Sequence, residues 1–204
     1  MSEPRTRDRV LAAAMRLFGE RGFAGTSVAD IEAAAGLSAG SGGLYRHFAS
    51  KQALLQAGVR EQIAAGQALL DLLDGADLAE LSLHDRLVEV ARAGLGRLRQ
   101  EQDLNRIMIK DLAKFPELLA EARDDEVSRV HAAVTTWLVT EAREQPAAHG
   151  FADWPAVAAV VVGAVSHYWL MGDVFGEHPA GVDDGRYLEA LSQLLIPLLT
   201  DGST

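Results

Sequence analysis

Apolar residues recur every three or four positions along most of the chain, with charged residues between them, and this spacing predicts amphipathic α-helices. The first such stripe covers residues 5–21 and ends at Gly22. A second begins at Thr26 or Ser27, both of which suit a helix cap, and ends at Gly36. No stretch alternates apolar and polar residues as a strand does, so the chain is expected to be all-α.

The rest of the pattern predicts a short helix followed by six longer ones, so about nine helices in all. Leu44 and Phe48 form one face of the short helix, while Tyr45, Arg46 and His47 project to its sides and outward. The longer helices are separated by Gly, Pro or Asp. They are expected over residues 51–73, 82–101, 103–114, 117–144, 154–176 and 184–200.

The segment between Asp153 and Asp173 holds nineteen uncharged residues, which is close to the length that crosses a bilayer. Ser166 and His167 lie within it and an acidic residue stands at each end, which argues against a membrane span. A helix buried on all sides within a protein fits better. The N-terminal residues lack an apolar signal stretch and cysteine is absent, so we expect a cytoplasmic protein without disulfides.

The net charge of −10 is unevenly distributed. Residues 1–60 carry eight Lys or Arg and five acidic residues, a net charge of +3, so residues 61–204 carry −13. A basic head on an acidic body suits a protein that touches DNA with one end. The cluster of Arg5, Arg7 and Arg9 indicates a solvated helix start, with an arm that enters the minor groove as the alternative.

The last two predicted helices carry the strongest apolar signal. The first of them has small side chains at Ala156, Ala159, Gly163 and Ser166, so that another helix can approach it closely. The final helix adds six leucines, Leu188, Leu191, Leu194, Leu195, Leu198 and Leu199. Pairing of these two helices with their symmetry mates predicts an isologous four-helix interface, and hence a homodimer.

Motifs of common enzyme classes are absent from the sequence. There is no Gly-Lys-Ser phosphate loop, no G-x-S-x-G elbow and no H-E-x-x-H zinc site. Asp173, Glu177 and His178 lie close together but lack a second ligand cluster, so they indicate a solvated helix end. We therefore expect no enzymatic activity, no catalytic residue, no metal site and no cofactor.

Residues 26–51, TSVADIEAAAGLSAGSGGLYRHFASK, follow the order of a helix-turn-helix, with an ordinary helical hairpin as the alternative. The segments RGFAGTSVADIEAAAGLS and GLYRHFASKQALL, within residues 9–55, closely resemble the DNA-binding domain of the TetR family of bacterial regulators. The resemblance implies a homodimer. In it, residues 1–50 would form the helix-turn-helix DNA-binding domain, and residues 51–204 the helical ligand-binding and dimerisation domain that moves the two heads.

The resemblance also implies residues for the DNA backbone. Thr26, Tyr45, His47 and Lys51 match family positions that contact phosphates, and their hydroxyl, imidazole and ammonium groups suit phosphate oxygens. A plain helix cap is the alternative role for Thr26. These contacts fix the register of a protein on DNA but do not read its sequence.

This chain departs from the commonest family pattern where base contacts are expected. It has about two more residues between the turn and the Leu-Tyr pair, and the added segment is rich in Gly and Ser. Ser38 and Ser41 are candidates for contacts to base edges, and Gly43 for a close backbone approach. Arg46 is a candidate for a phosphate or a guanine edge.

Seven residues of the predicted body are candidates for an effector pocket, because polar or polarizable side chains on apolar helices can orient a ligand. Core packing is the alternative for the group, and a satisfied structural role for His131. His167 has more weight, because an imidazole in an apolar helix needs a partner. The candidates are Arg106, Met108, His131, Trp137, His167, Trp169 and Met171.

Taken together, the sequence predicts a ligand-responsive DNA-binding transcriptional regulator, and specifically a repressor. Its expected partners are a palindrome-like double-stranded DNA operator, a second copy of the chain through the last two helices, and an unidentified small-molecule effector that releases the DNA. No membrane partner is expected. The alternative is a helical ligand-binding or interaction protein that does not bind DNA, suggested by the unusual Gly-rich segment.

Overall fold

The computed structural model describes residues 5–40, 42–66, 68–74, 78–145 and 153–200. These residues form α-helices joined by short turns and contain no strand, which confirms the all-α prediction. The ten α-helices among them, α1 to α10 in chain order, are Thr6–Arg21, Val28–Ala34, Lys51–Ala65, Ala68–Asp74, Leu83–Gln100, Gln102–Lys110, Pro116–Ala122, Ser128–Glu144, Trp154–Phe175 and Asp184–Thr200.

Three of the long helices predicted from the sequence are interrupted in the structure, so the predictions that they are continuous are wrong. The helix predicted over residues 51–73 is two helices, because α3 ends at Gly66 before α4 begins. The helix predicted over residues 103–114 stops at Lys110 and is followed by a short 3-10 turn. The helix predicted over residues 117–144 is divided into α7 and α8 by a π turn. Apolar spacing continues across each interruption, so periodicity alone could not reveal them.

The chain divides into two compact units, each with its own core. The first combines residues 1–66 with residues 101–126, and the second combines residues 67–100 with residues 127–204. Helices α6 and α7 therefore belong with α1 to α3, although α4 and α5 separate them in sequence. The functional division at residue 50 stays a prediction, because packing does not say which residues bind DNA.

Helix α1 lies at the centre of the first unit, where it packs against α2, α3 and α6. The core side chains come from all four of these helices and from the segment after α2. Phe18, Ile31, Leu44, Leu54 and Ile107 are each less than 2% exposed. Complete burial of such a side chain stabilises a fold by about 1.5–3 kcal/mol. Because Ile107 is one of these residues, α6 contributes to the core of the first unit, which we call the head.

The second unit is a helical bundle in which α9 packs against α5 and α8, and α10 packs against α5 and α8. Leu95, Leu138 and Leu188 fill its interior. A buried ion pair crosses the bundle, with Arg86 Nε and Nη2 donating to Glu141 Oε2 at 2.9 and 2.6 Å. This pairing compensates part of the cost of burying both charges.

Helix α9 is long and apolar enough to cross a membrane by length and composition alone. One face packs into the second unit through Val157, Val165 and Trp169. Its opposite face is open, with Val160 70% exposed and Val174 60% exposed. The prediction that this helix is buried on all sides is therefore wrong for the single chain, and an open apolar face of this kind calls for a partner.

Candidate nucleic-acid interface

The buried side chain of Thr26 holds the loop between α1 and α2 by hydrogen bonds. Gly22 ends α1 with a φ of 78°, a value that favours glycine. The Thr26 hydroxyl lies within hydrogen-bonding distance of the carbonyl oxygens of Leu17, at 3.1 Å, and Gly22, at 2.9 Å. The residue is only 1% exposed. The hydroxyl is thus used inside the protein, and the structure corrects the prediction that it contacts a phosphate.

Ser27, the other candidate cap, begins α2. Its Oγ accepts a hydrogen bond from the Asp30 N–H at 3.1 Å, and Asp30 Oδ2 accepts one from the Ser27 N–H at 3.0 Å. This reciprocal capping box satisfies backbone donors at the helix start. The hydrogen bonds from the Ser27 side chain and backbone lower the pKa of Asp30.

Lys51 holds the same loop from the start of α3. Its Nζ donates hydrogen bonds to the carbonyl oxygens of Phe23 and Thr26, both at 2.8 Å, and lies 4.2 Å from the centre of the Phe23 ring. Ser50 caps α3 by accepting a hydrogen bond from the backbone N–H of Ala53. An ammonium group has three donors. Two of the three N–H donors of Lys51 bind within the protein. The phosphate contact predicted for Lys51 would use the third donor.

Asp111, directly after α6, completes the closure of the loop. Its Oδ2 accepts a hydrogen bond from the Phe23 N–H at 2.7 Å, and its Oδ1 accepts one from Lys114 Nζ at 2.6 Å. A Cβ on Gly22 would lie 3.2 Å from Asp111 Oδ2, which is a tight approach. Burial alone raises the pKa of Asp111, but the hydrogen bonds from Lys114 and Phe23 outweigh it and leave this pKa lowered.

The segment after the Gly-rich stretch is a 3-10 turn, Leu44–Arg46, and not the short α-helix predicted from the sequence. We call residues 44–47 the reading turn. Leu44 is fully buried and Phe48 is 7% exposed, so the two side chains anchor the segment in the core as their spacing predicted. Tyr45 is 57% exposed, and the two residues that follow it, Arg46 and His47, are also exposed. The reading turn therefore presents a phenol, a guanidinium and an imidazole to solvent.

The Gly-rich segment that precedes the reading turn depends on glycine for its backbone shape. Gly40 and Gly42 have φ values of 73° and 72°, and a Cβ on either would have no atom within 4 Å. A side chain would thus be opposed by backbone strain and not by crowding. Ser38 is exposed and Gly43 is partly exposed. Ser41 lies outside the described residues, and the base contacts assigned to all three stay predictions.

Half of the eight basic side chains in residues 1–60 are already bound within the protein. The engaged side chains are Arg7, Arg16, Lys51 and Arg60, whose respective partners are Glu61, Glu20, the loop carbonyls and Glu121. The side chains of Arg5, Arg9, Arg21 and Arg46 make no hydrogen bond or ion pair with the described residues. Arg9 Nη1 lies 3.9 Å from the position of a Cβ on Gly36, so this cation lies beside the turn after α2.

The head of the chain matches a known sequence family. Residues 10–57, which run from α1 through the reading turn into α3, match the family described as bacterial regulatory proteins, tetR family. The HTH-type transcriptional regulator CymR of Pseudomonas putida is 30% identical over 110 residues, which are 54% of this chain and 43% of CymR. The matched part thus spans less than half the length of that curated relative. Residues 10–57 of the chain therefore belong to the TetR family.

Solved structures share the fold over nearly the whole chain. A TetR-like transcriptional regulator from Rhodococcus sp. RHA1 has a TM-score of 0.70 at 18% identity, over 96% of this chain and 97% of that one. AibR, solved in complex with isovaleryl coenzyme A and operator DNA, has a TM-score of 0.68 at 18% identity, over 95% and 99%. At such low identity the agreement shows the TetR fold and nothing finer.

The seven effector candidates do not fall in one part of this TetR fold. Arg106 and Met108 belong to the first compact unit, and the other five belong to the second. His131 Nε2 lies 2.9 Å from the carbonyl oxygen of Pro155, which gives this ring a structural partner. His167 is exposed on α9.

The remaining three candidates lie nearer the core of the second unit. Trp137 and Trp169 are 8% and 7% exposed and belong to its hydrophobic cluster, and Met171 is half-buried. A role in effector binding stays a prediction for all seven.

Two site residues were missed from the sequence. Asp111 gave no local signal, because 88 residues separate it from Phe23. Glu32, whose side chain is fully buried, did give one. It lies one position after Ile31 and three before Ala35, on the inward side of α2, where a carboxylate is out of place.

We predict that Asp111→Asn destabilises the head. The charge-assisted hydrogen bonds at Asp111 are lost, so the free energy of unfolding at pH 7 should fall by about 1–3 kcal/mol. Because the folded pKa of Asp111 is lowered, its contribution is present above the unfolded pKa and is lost as the pH falls through the folded pKa. The difference between the two proteins should therefore shrink in acid.

Urea unfolding at several pH values, at one protein concentration, measures this difference. The exposed Asp125, in the π turn after α7, serves as the control through Asp125→Asn, which should leave the unfolding free energy unchanged. Equal effects of the two substitutions would contradict a special role for Asp111.

Proposed function

We propose that this TetR-family protein is a DNA-binding transcriptional regulator, and specifically a ligand-responsive cytoplasmic repressor. The observation that carries the proposal is the reading turn, where Tyr45, Arg46 and His47 are exposed on a base fixed by two buried side chains. A phenol, a guanidinium and an imidazole are all donors that suit phosphate oxygens. Their common attachment to a rigid core allows them to bind a DNA backbone in one register.

The proposed DNA interface differs from the set expected from the sequence. Tyr45, His47 and Arg46 remain in it, and Lys51 contributes through its third donor. Thr26 is left out, since its hydroxyl is buried. Three further arginines, Arg5, Arg9 and Arg21, add positive charge that forms no ion pair with an acidic side chain among the described residues. Base reading is assigned to Ser38, Ser41 and the backbone at Gly43.

The proposed homodimer uses the open faces of α9 and α10. Ala156, Val160, Gly163 and His167 follow one another at steps of four, three and four residues along α9, and all are exposed. A second apolar strip lies on α10, where Leu194 is 72% exposed and Leu198 is 40% exposed. Apolar strips on two consecutive helices of one bundle suit an isologous four-helix interface. On this proposal His167 belongs to the dimer face.

The proposed effector site lies in the second unit, where Trp137 and Trp169 belong to the hydrophobic core and Met171 is half-buried. AibR, which has the same fold, is described with an acyl coenzyme A and operator DNA bound together. That description supports a ligand site and a DNA site on one chain of this architecture. A coupling of about 1–3 kcal/mol between them weakens DNA binding about 5- to 150-fold.

Selection of bound DNA from random duplexes by the purified full chain tests the proposed function. We expect a palindrome-like site with half-sites about 10 base pairs apart, centre to centre, or a multiple of that distance. Repetition with a metabolite extract should lower the recovery of that site, and the extract boiled and depleted of small molecules is the control. Recovery of no symmetric site would refute the proposal.

The salt dependence of operator binding tests which cations contact phosphates. Arg46→Gln and Arg9→Gln should each reduce the slope of log Kd against log salt by about 0.9, which corresponds to one phosphate contact. Arg16 is the matched control because it is already paired with Glu20 on the exposed side of α1. If Arg16→Gln changes the slope as much as the other two substitutions, the assignment is wrong.

The dimer face is tested by Leu194→Glu. A carboxylate at the most exposed leucine of α10 should convert the dimer to monomer in sedimentation equilibrium, because the interface would bury an unpaired charge. Operator affinity should fall with it, since each monomer holds only one half-site. The control is Leu119→Glu on α7, another leucine that is 42% exposed. A dimeric Leu194→Glu variant would refute the proposed interface.

A further inference from the structure

The buried carboxylate of Glu32 is the feature of the head that stability alone does not explain. Glu32 is 0% exposed on the inward side of α2, beside Ile31. Its Oε1 accepts a hydrogen bond from the Leu44 N–H at 3.0 Å. Its Oε2 is buried and has no hydrogen-bond partner in the part of the chain that the structure describes. One backbone donor is little compensation for removing a carboxylate from water.

The position of the single bond shows what it does. Leu44 is the first residue of the reading turn, and its N–H is the donor that Glu32 binds. The Leu44 carbonyl oxygen in turn accepts the N–H groups of His47 and Phe48, at 3.0 Å each. The carboxylate thus holds the N–H of the residue whose carbonyl oxygen is the acceptor at the end of the turn.

The described glycines of the Gly-rich segment contact the reading turn through their backbone, with the Tyr45 N–H donating to the Gly42 carbonyl oxygen at 3.1 Å and the Arg46 N–H to the Gly43 carbonyl oxygen at 3.4 Å. Gly40 and Gly42 have no side chains, and both have positive φ values with open space where a Cβ would lie. Glycine has the largest conformational freedom of all residues. The side-chain contacts that tie the start of the reading turn to the core include the buried Leu44 side chain and the Glu32 carboxylate.

We propose that Glu32 is a positioning residue for sequence-specific DNA reading. It touches no DNA itself. By fixing the Leu44 peptide it sets where Tyr45, Arg46 and His47 lie relative to Ser38 and Gly43, and so determines which base sequence fits. The inference rests on the proposed DNA-binding function and concerns selectivity, because non-specific affinity comes mainly from phosphate charge.

Glu32→Ala and Glu32→Gln separate positioning from folding. Glu32→Ala removes the acceptor, whereas Glu32→Gln keeps an amide oxygen of the same reach, removes the charge and replaces the other oxygen by an NH2 group. We expect Glu32→Ala to bind the selected operator about tenfold more weakly, as for the loss of one well-placed hydrogen bond. Its Kd for an unrelated duplex at the same salt should stay within about twofold of wild type, since no phosphate contact is lost.

The conservative variant and a surface control complete the comparison. Glu32→Gln should restore most of the ratio between the specific and the unrelated duplex. Glu20→Ala, which removes an exposed carboxylate paired with Arg16, should leave that ratio unchanged. Circular dichroism and urea unfolding establish that each variant is folded. We expect Glu32→Ala to fold, because the loss of the buried charge offsets the cost of leaving the Leu44 N–H without its acceptor.

Backbone amide exchange of Leu44, followed by NMR without DNA, is an independent readout of the anchor. The amide should be protected in wild type and in Glu32→Gln, and should exchange at least about tenfold faster in Glu32→Ala, where its acceptor is missing. Unchanged exchange in Glu32→Ala would overturn the anchoring role. Unchanged operator selectivity in a folded Glu32→Ala would overturn the positioning role.

The outcomes distinguish this proposal from the proposed function. If wild type selects no DNA site, the proposed function fails, and the role of Glu32 in DNA reading fails with it. If wild type selects a symmetric site and Glu32→Ala reads the same site equally well, only the role of Glu32 fails. Loss of affinity for operator and unrelated duplex in equal measure would also overturn it, because a selectivity effect requires the two to differ.

Discussion

The head of this TetR-family chain depends on how the polar backbone of one short loop is satisfied. Between α1 and α2 the chain turns sharply at a partly buried position, and the N–H and C=O groups that are shielded from water there need partners in the protein. Thr26, Lys51 and Asp111 supply them from the loop itself, from α3 and from the end of α6. The three side chains carry a hydroxyl, a cation and an anion, and together they complete the loop. The orientation of α2, and with it the reading turn, follows from this closure.

The sequence predicted the helical class and the helix-turn-helix because local signals were strong there. Gly22 and Gly36 end their helices at positive φ, and Leu44 and Phe48 are buried at their predicted spacing. The roles of Thr26 and Asp111 could not be predicted, because their partners are set by tertiary packing. Helix breaks were missed for a related reason: apolar spacing records which face is buried, and it continues through a turn that leaves that face unchanged.

The net charge of the head does not measure the charge that it can offer to DNA. A net charge of +3 in residues 1–60 says little about DNA, since Arg7, Arg16 and Arg60 are bound to carboxylates within the protein. What matters for counterion release is the set of cations without an internal partner. These include Arg46 on the reading turn and Arg9 beside the turn after α2. Four of the eight basic side chains of residues 1–60 therefore lack a hydrogen-bond or ion-pair partner among the described residues.

Glu32 connects the stability of the head with its proposed function. Its buried carboxylate is poorly compensated, so it is expected to reduce stability and not to raise it. Such a group is understandable where position matters more than free energy, and the Leu44 N–H that it binds begins the segment carrying the exposed Tyr45. Gly40 and Gly42, in the segment before Leu44, have no side chains that could help to place it. Glu32 bonds on both sides of this segment, because its carbonyl oxygen accepts the Leu37 N–H at 2.8 Å and its Oε1 accepts the Leu44 N–H.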